Sequence, residues 1–313
     1  MRHQLPPLNI AIIHGTVSQE DMLYHESADP ATSSTHAIAK SLEKLGAKTT
    51  LLNIANPDFA NIITQHDLIF PNMHGRFGED GTLQGYLEYL NVPYVNSGVL
   101  ASAVGMDKRV SKRIAESVGI PTIPTLREFP AQNLTVTDKQ SIIKAIDGGS
   151  SVGISILPPR QEPTEALKSI LEQGFSNVIQ EPFIEGPTAT VPVITIENKP
   201  TALTPIIVKT ENKYYDADTK LHGGNKTTIH NLAVNNPSCA SKIQEQAINL
   251  YRTLNCSGAI RLDYIINDKH GALFMEFNTS PGLQPESNII KSAQIDGYNY
   301  DDIIYLLVQS ALQ

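Results

Sequence analysis

Apolar positions along the chain first gather in a short run, Leu8 to Ile13, closed by His14-Gly15, which predicts a buried strand. The polar stretch Thr16 to Thr35 follows. It is longer than an ordinary strand-to-helix connection, and loops of that length often carry function. Ser33 or Ser34 can cap a helix over about Thr35 to Leu45, with Gly46 just past its end. Thr49–Ile54, Asp67–Phe70 and Val92–Val95 read as further strands, and Leu83, Tyr86, Leu87 and Leu90 recur at helical spacing between the last two. Strands alternating with helices predict a parallel α/β sheet.

From Leu100 the pattern changes. Helices are expected over Leu100–Val104 and Asp107–Val118, the second ending at Gly119 with Pro121 beyond. Ser141–Ile146 reads as a strand carrying one lysine, Lys144. It runs into Asp147-Gly-Gly-Ser-Ser-Val-Gly153 and a second strand, Ile154–Leu157. A helix near Glu165–Gly174 precedes strands at Ala189–Ile196 and Thr204–Val208. Thr210–Thr227, with Lys209, Lys213, Lys220, Lys226 and Gly223-Gly224 in or beside it, reads as a mobile surface loop. Helices over Pro237–Leu254 and Asp301–Leu312 flank a last pair of strands.

That pair, Gly258 to Gly282, holds the densest candidate chemistry. Two runs of β-formers enclose Asn267-Asp-Lys-His-Gly271, a hairpin signal. Side chains alternate faces along a strand, so Arg261 and Asp263 share one face, as do Glu276 and Asn278. A turn centred between Lys269 and His270 sets Asp263 opposite Glu276 and Arg261 opposite Asn278. Opposed carboxylates repel. A hard cation between them removes the conflict, and carboxylate and amide oxygens suit magnesium. The same residues also suit the solvated face of an edge hairpin.

Composition narrows the partners. The 313 residues have a globular composition, a net charge of -8 and no long basic run, which argues against nucleic acid. Cys239 and Cys256 lack metal or redox spacing and fit reduced thiols of a cytoplasmic protein. No apolar run has signal-peptide or membrane-span length, so no membrane partner is expected.

Three further places carry chemistry. Met73 to Gly85 (Met-His-Gly-Arg-Phe-Gly-Glu-Asp-Gly-Thr-Leu-Gln-Gly) follows a strand and precedes a helix, at the sheet edge where α/β ligands bind; it also fits a tight turn. Lys108 in the first turn of its helix opposes the helix dipole, which hints at an anionic ligand, although a lone lysine there is usually solvated. The loop 147–153 can fold over phosphates with backbone N–H groups and hydroxyls, or be a plain turn; it is not a Walker loop.

Taken together and in order, His74 to Gly85, Met106-Asp-Lys108, Gly149-Ser-Ser-Val-Gly153, Arg261-Leu-Asp263 and Glu276-Phe-Asn-Thr-Ser-Pro-Gly282 resemble the D-alanine–D-alanine ligases of the ATP-grasp superfamily, over most of the chain. The resemblance implies an α/β (α+β) fold of three parts: a Rossmann-like parallel-sheet domain over 1–97, a central ATP-grasp subdomain over 98–186, and a C-terminal ATP-grasp domain over 187–313, with antiparallel sheets gripping ATP. It implies phosphorylation of one D-alanine by ATP, attack on the acylphosphate by a second D-alanine, and loss of phosphate, in peptidoglycan precursor synthesis. Lys108, Lys144, Ser150, Ser151, Val152 and Gly153 would attend the phosphates. Glu181, Phe183 and Ile184 would attend the base. Asp263, Glu276 and Asn278 would hold two magnesium (or manganese) ions. Arg261 and the Gly282 backbone would stabilise the oxyanion, Lys220 the acylphosphate. His74 and Glu20 would sit at the first substrate and Ser287 at the second. The family also implies a cytoplasmic homodimer acting on small molecules.

Several positions depart from the family pattern. Thr188 stands where an acid grips the ribose, with Glu185 a possible substitute. Leu221 replaces a Tyr after the loop lysine, Asn288 a Leu after Ser287, and Leu283-Gln284 a Met-Thr. Glu26 competes with Glu20 for the first substrate's amine. These departures leave open an ATP-grasp ligase of the same mechanism with another acceptor or first substrate. A nucleotide-binding protein without ligase activity is the reading from a different class, and the intact Arg261, Asp263, Glu276 and Asn278 speak against it.

Overall fold

The computed structural model describes residues 3–15, 34–128, 134–148, 152–210 and 227–313. Glu20, Glu26, Ser150, Ser151, Lys213, Lys220, Lys226 and Leu221, together with the expected loop 211–226, lie outside the described residues.

The chain begins with a parallel sheet of β1 (Asn9–His14), β2 (Lys48–Asn53) and β3 (Leu68–Pro71), in the order β2-β1-β3. Ile10, Ile12, Leu68 and Phe70 bury one face against helix Ser34–Lys44 and, from the far end of the chain, helices Asn288–Ile295 and Tyr300–Ala311. The expected fourth strand at Val92–Val95 does not form. Only Tyr94 bridges to Ile69, through Ile69 N–H to Pro93 O at 2.8 Å and Val95 N–H to Ile69 O at 2.9 Å. Pro93 has no N–H to extend a ladder, and Asn91 and Asn96 on either side take left-handed φ of 54° and 79°.

A four-stranded antiparallel sheet follows: β4 (Arg127–Glu128), β5 (Ser141–Ala145), β6 (Ile154–Leu157) and β7 (Val178–Pro182), in the order β4-β7-β5-β6. Its core is Ile143, Ala145, Leu157, Ile170, Phe175 and Val178. Gly153 ends the Gly/Ser loop at φ +69°. A β-carbon there would meet the Phe175 ring at 2.7 Å, so the chain enters β6 too close to this ring for any residue but glycine.

The largest sheet is antiparallel and has six strands. β8 (Thr188–Ile196), β9 (Lys199–Ala202), β10 (Ile206–Thr210), β11 (Thr227–Asn231), β12 (Ala259–Asn267) and β13 (Gly271–Asn278) run in the order β11-β10-β8-β12-β13, with β9 paired to β8. β8 pairs β10 over Thr188–Thr190 and β9 over Val193–Ile196, so Pro192 lies where β8 changes partner. Glu197 and Asn198, both with positive φ, make the two-residue turn into β9. The expected strand Thr204–Val208 is displaced to Ile206–Thr210, which takes Lys209 out of the loop and into a strand. Helices Val99–Met106, Lys108–Ser117 and Pro237–Thr253 pack on this sheet through Ala101, Val104, Ala115, Ile243 and Leu250.

Candidate active site

The hairpin of β12 and β13 pairs Asp263 with Glu276 and Arg261 with Asn278, the register expected. It gets there by a different route. The turn is centred on Lys269, with Asn267 opposite Gly271, and a bulge beside Asp263 inserts Met275 between the Tyr264–Phe274 and Asp263–Glu276 pairs. The insertion has a large consequence. Phe274 and Phe277, three residues apart, both face the core with Leu262 and Tyr264. Were Met275 paired in a regular ladder, period-2 alternation would put Glu276 on the same face as Phe274.

On the site face the charges interlock. Arg261 Nε lies 3.1 Å from both Asp263 oxygens and its Nη2 lies 2.9 Å from Oδ2. Thr190 Oγ1 donates to Asp263 Oδ1 at 2.7 Å from β8. Burial opposes the Arg261 charge, but Asp263, with help from Glu276 and Glu79, more than offsets it and raises the guanidinium pKa. Asn278 Oδ1 accepts from Ser280 N–H at 2.6 Å, which fixes the bend into Pro281-Gly282. A β-carbon at Gly282 would lie 2.6 Å from Gln284 Oε1, so the Gln284 side chain folds back over this glycine.

Lysines arrive from the other elements. Asp107 caps helix Lys108–Ser117, accepting from Arg109 N–H at 2.9 Å and Val110 N–H at 3.2 Å. The cap starts the helix so that Lys108 and Lys112, four residues apart, point the same way. Lys108 is not a solvated charge: it is 7% exposed, its Nζ donates to Gly148 O and lies 3.3 Å from Glu276 Oε2. Lys144 on β5 lies 2.8 Å from Glu181 Oε2 on β7, across an adjacent pair of strands. Glu181 is 1% exposed, and Lys112, 3% exposed, donates to its Oε1 at 2.5 Å and to Thr125 Oγ1 at 2.7 Å. Burial pulls the Lys112 ammonium below its usual pKa, with Glu181 opposing the shift.

The remaining expected residues lie around this centre. Val152 packs at the rim of the four-stranded sheet's core, and Phe183 and Ile184 follow β7, with Phe183 N–H bonded to Gln140 O at 3.0 Å. His74 Nδ1 lies 3.9 Å from Glu79 Oε2, while Glu79 Oε1 accepts from Gly75 N–H at 3.0 Å. Ser287 is the N-cap of helix Asn288–Ile295, yet its buried Oγ makes no hydrogen bond among the described residues. Three residues that join the site escape the sequence reading: Lys112, Glu79 and Thr190. The i, i+4 spacing of Lys108 and Lys112 on one helix was the legible signal for the first. The other two depend on contacts between distant segments.

Asp263, Glu276 and Asn278 offer oxygen donors only, the set that hard divalent cations take. The donors fit such an ion, and Arg261 and Lys108 are the cations beside the two carboxylates here.

Comparison with solved structures defines the class. The D-alanine–D-alanine ligase of Coxiella burnetii superposes with a TM-score of 0.76 at 24% identity, covering 97% of this chain and 95% of that one. The Bacillus anthracis enzyme, solved in complex with ATP, gives 0.78 at 24% identity and covers 97% of each chain. The fold is the ATP-grasp fold of those ligases. Family models described as D-ala D-ala ligase N-terminus and C-terminus match residues 9–97 and 127–309. D-alanine–D-alanine ligase B of Mesorhizobium japonicum is 31% identical over 97% of both chains, and the D-alanine–D-alanine ligase of Caulobacter sp. (strain K31) is 33% identical over 88% of this chain and 87% of its own. The chain belongs to the D-alanine–D-alanine ligase family, and by that membership it is a ligase.

Proposed function

We propose that this enzyme joins two D-alanine molecules at the expense of ATP, through an acylphosphate, to supply a peptidoglycan precursor. The observation that carries the reading is the meeting of opposite charge at the β12–β13 hairpin: Lys108 Nζ lies 3.3 Å from Glu276, beside Asp263 and Asn278, and donates to Gly148 O just past β5, the strand that carries Lys144. Triphosphate and a substrate carboxylate repel each other. Phosphoryl transfer asks the protein mainly for positioning and charge neutralisation. Lys108 and Lys144 supply buried positive charge for the phosphates. Arg261, locked by Asp263, is a preorganised donor for a developing oxyanion together with the backbone at Gly282. Ser287 has a buried hydroxyl with no partner among the described residues, suited to a carboxylate. Asp263, Glu276 and Asn278 would hold magnesium, which when bound supplies neutralisation of phosphate charge. Glu181, Phe183 and Ile184 attend the base; His74, with Glu20 and Lys220, attends the first substrate and the acylphosphate.

The three-part division at about residues 97 and 186 and a cytoplasmic setting belong to the same proposal. Among the described residues no helix is long and apolar enough to cross a membrane. A homodimer is supported by exposed apolar side chains on two neighbouring helices, Tyr86 and Tyr89 on Thr82–Tyr89 and Val99 and Leu100 on Val99–Met106. The experiment is phosphate release from ATP and magnesium with D- and L-amino acids and hydroxy acids, followed by product mass. The D-alanyl-D-alanine mass is expected. Release with no D-alanine dipeptide, or no dependence on D-alanine, would overturn the assignment.

A further inference from the structure

Glu181 is a buried carboxylate with two ammonium neighbours, and the two contacts differ. Lys112 meets Oε1 as a hydrogen bond and is itself tied to Thr125 Oγ1 at 2.7 Å. Lys144 lies 2.8 Å from Oε2 but off the hydrogen-bond direction, so Oε2 keeps no directed donor among the described residues. Among the described residues two ammonium groups contact this one carboxylate, a local positive excess that a bound polyanion would balance. A lysine that turns towards phosphate must leave Glu181. If it were the only partner, it would leave an uncompensated buried charge, which is strongly unfavourable.

We propose that Lys112 is a positioning residue for the nucleotide: it is the resident counter-ion of Glu181, holding the carboxylate aimed so that Lys144 can turn to phosphate while Oε2 accepts from the base. The proposal rests on the reading that ATP occupies this cleft. Lys112 contacts neither phosphate nor base. It acts through Glu181, and its anchor Thr125 fixes it on the side of the carboxylate away from Lys144's oxygen. Burial works against the Lys112 ammonium and Glu181 works for it, so its charge leans on this contact.

The test uses the full chain with ATP and with inosine triphosphate, whose base has an accepting carbonyl in place of the donating exocyclic amine. Wild type that releases phosphate with D-alanine establishes that the cleft works, so failure of that reading shows before any variant is made. Lys112→Met, close in shape but uncharged, is then expected to raise KM for ATP about tenfold or more. The value of kcat should stay within about threefold, and the preference for ATP over inosine triphosphate should fall. Lys112→Arg should restore part of the KM. If Lys112→Met lowers the melting temperature, the double variant Lys112→Met/Glu181→Gln removes the bare carboxylate and should regain both melting temperature and part of the ATP affinity. An active, normally melting Lys112→Met enzyme with unchanged KM and unchanged nucleotide preference would overturn the proposal. So would a double variant that regains stability without regaining any ATP affinity.

Discussion

Two charged clusters sit on two different sheets, and they differ in charge balance and in access to water. On the β12–β13 hairpin, Asp263 and Glu276 face each other, and Glu276 is 29% exposed. On β5 and β7, Lys144 and Glu181 are joined by Lys112, and Glu181 is 1% exposed. Arg261 and Lys108 balance the first cluster and Glu276 is partly open to water, so two adjacent carboxylates are tolerable there. The second is dry and sets two ammonium groups against one carboxylate. The hairpin side is therefore suited to gaining cations with substrate. The buried side is suited to a fixed framework from which one lysine can be lent.

Breaking the hairpin side should give the largest effect. Inserting one alanine between Asp263 and Tyr264 gives Met275 a partner, removes the bulge and puts Asp263 and Glu276 on the face of Tyr264 and Phe274. Loss of measurable ligation is expected, with destabilisation of several kcal/mol, since the site carboxylates would be forced onto the apolar face. Chemical denaturation and phosphate release measure both; an active, normally stable insertion variant would show that the bulge does not set the face. Glu276→Gln should keep the fold, with an unchanged melting temperature, and lose at least about a hundredfold in kcat, comparable to losing one key electrostatic contact. Near-normal turnover in this variant would sink its proposed place at the metal.

On the lysine side the expected change is in affinity rather than in rate. Lys144→Ala should raise KM for ATP by about tenfold or more while Glu181 stays paired to Lys112 and the melting temperature holds. A drop in stability as large as that in ATP affinity would show that Lys144, too, is mainly a counter-ion. Ser287→Ala should raise KM for the second D-alanine only, by a few-fold up to about tenfold, the range for one lost hydrogen bond. Equal changes for both substrates in steady-state analysis would remove it from the acceptor position.

The smallest effect concerns the cap that aims both lysines. Burial raises the Asp107 pKa, but its hydrogen bonds to Arg109 and to two backbone N–H groups outweigh this, so it lies below the usual carboxylate value. A depressed carboxylate contributes stability that is complete above its unfolded pKa and is lost as pH falls through the folded one. Asp107→Ala should cost about 1 kcal/mol at neutral pH, and its deficit relative to wild type should shrink below about pH 4. A deficit independent of pH in thermal melts would assign the cost to the lost cap geometry alone.

Much of this site is written locally. Alternating side chains on two β-rich runs determine which of Arg261, Asp263, Glu276 and Asn278 share a face. The strand–helix alternation of the first hundred residues determines a parallel sheet, and a lysine at a helix start hints at an anion. Short-range chemistry also decides where the pattern fails: Pro93 between two left-handed asparagines stops a strand that its apolar residues would favour. Other features require contacts that no local pattern encodes. The bulge at Met275 corrects a turn set one half-residue off, and its position depends on Phe274 meeting the segment at Pro121–Ile123, far away in the chain. The last two helices complete the core of the first sheet because Ile303, Ile304 and Leu307 find Ile10 and Leu42 there. The pairing of Lys112 with Glu181 joins positions sixty-nine residues apart. Sequence period fixes which side chains a strand or helix can present together. Which distant charge each one meets is decided only when burial removes water and leaves every buried ion needing a partner.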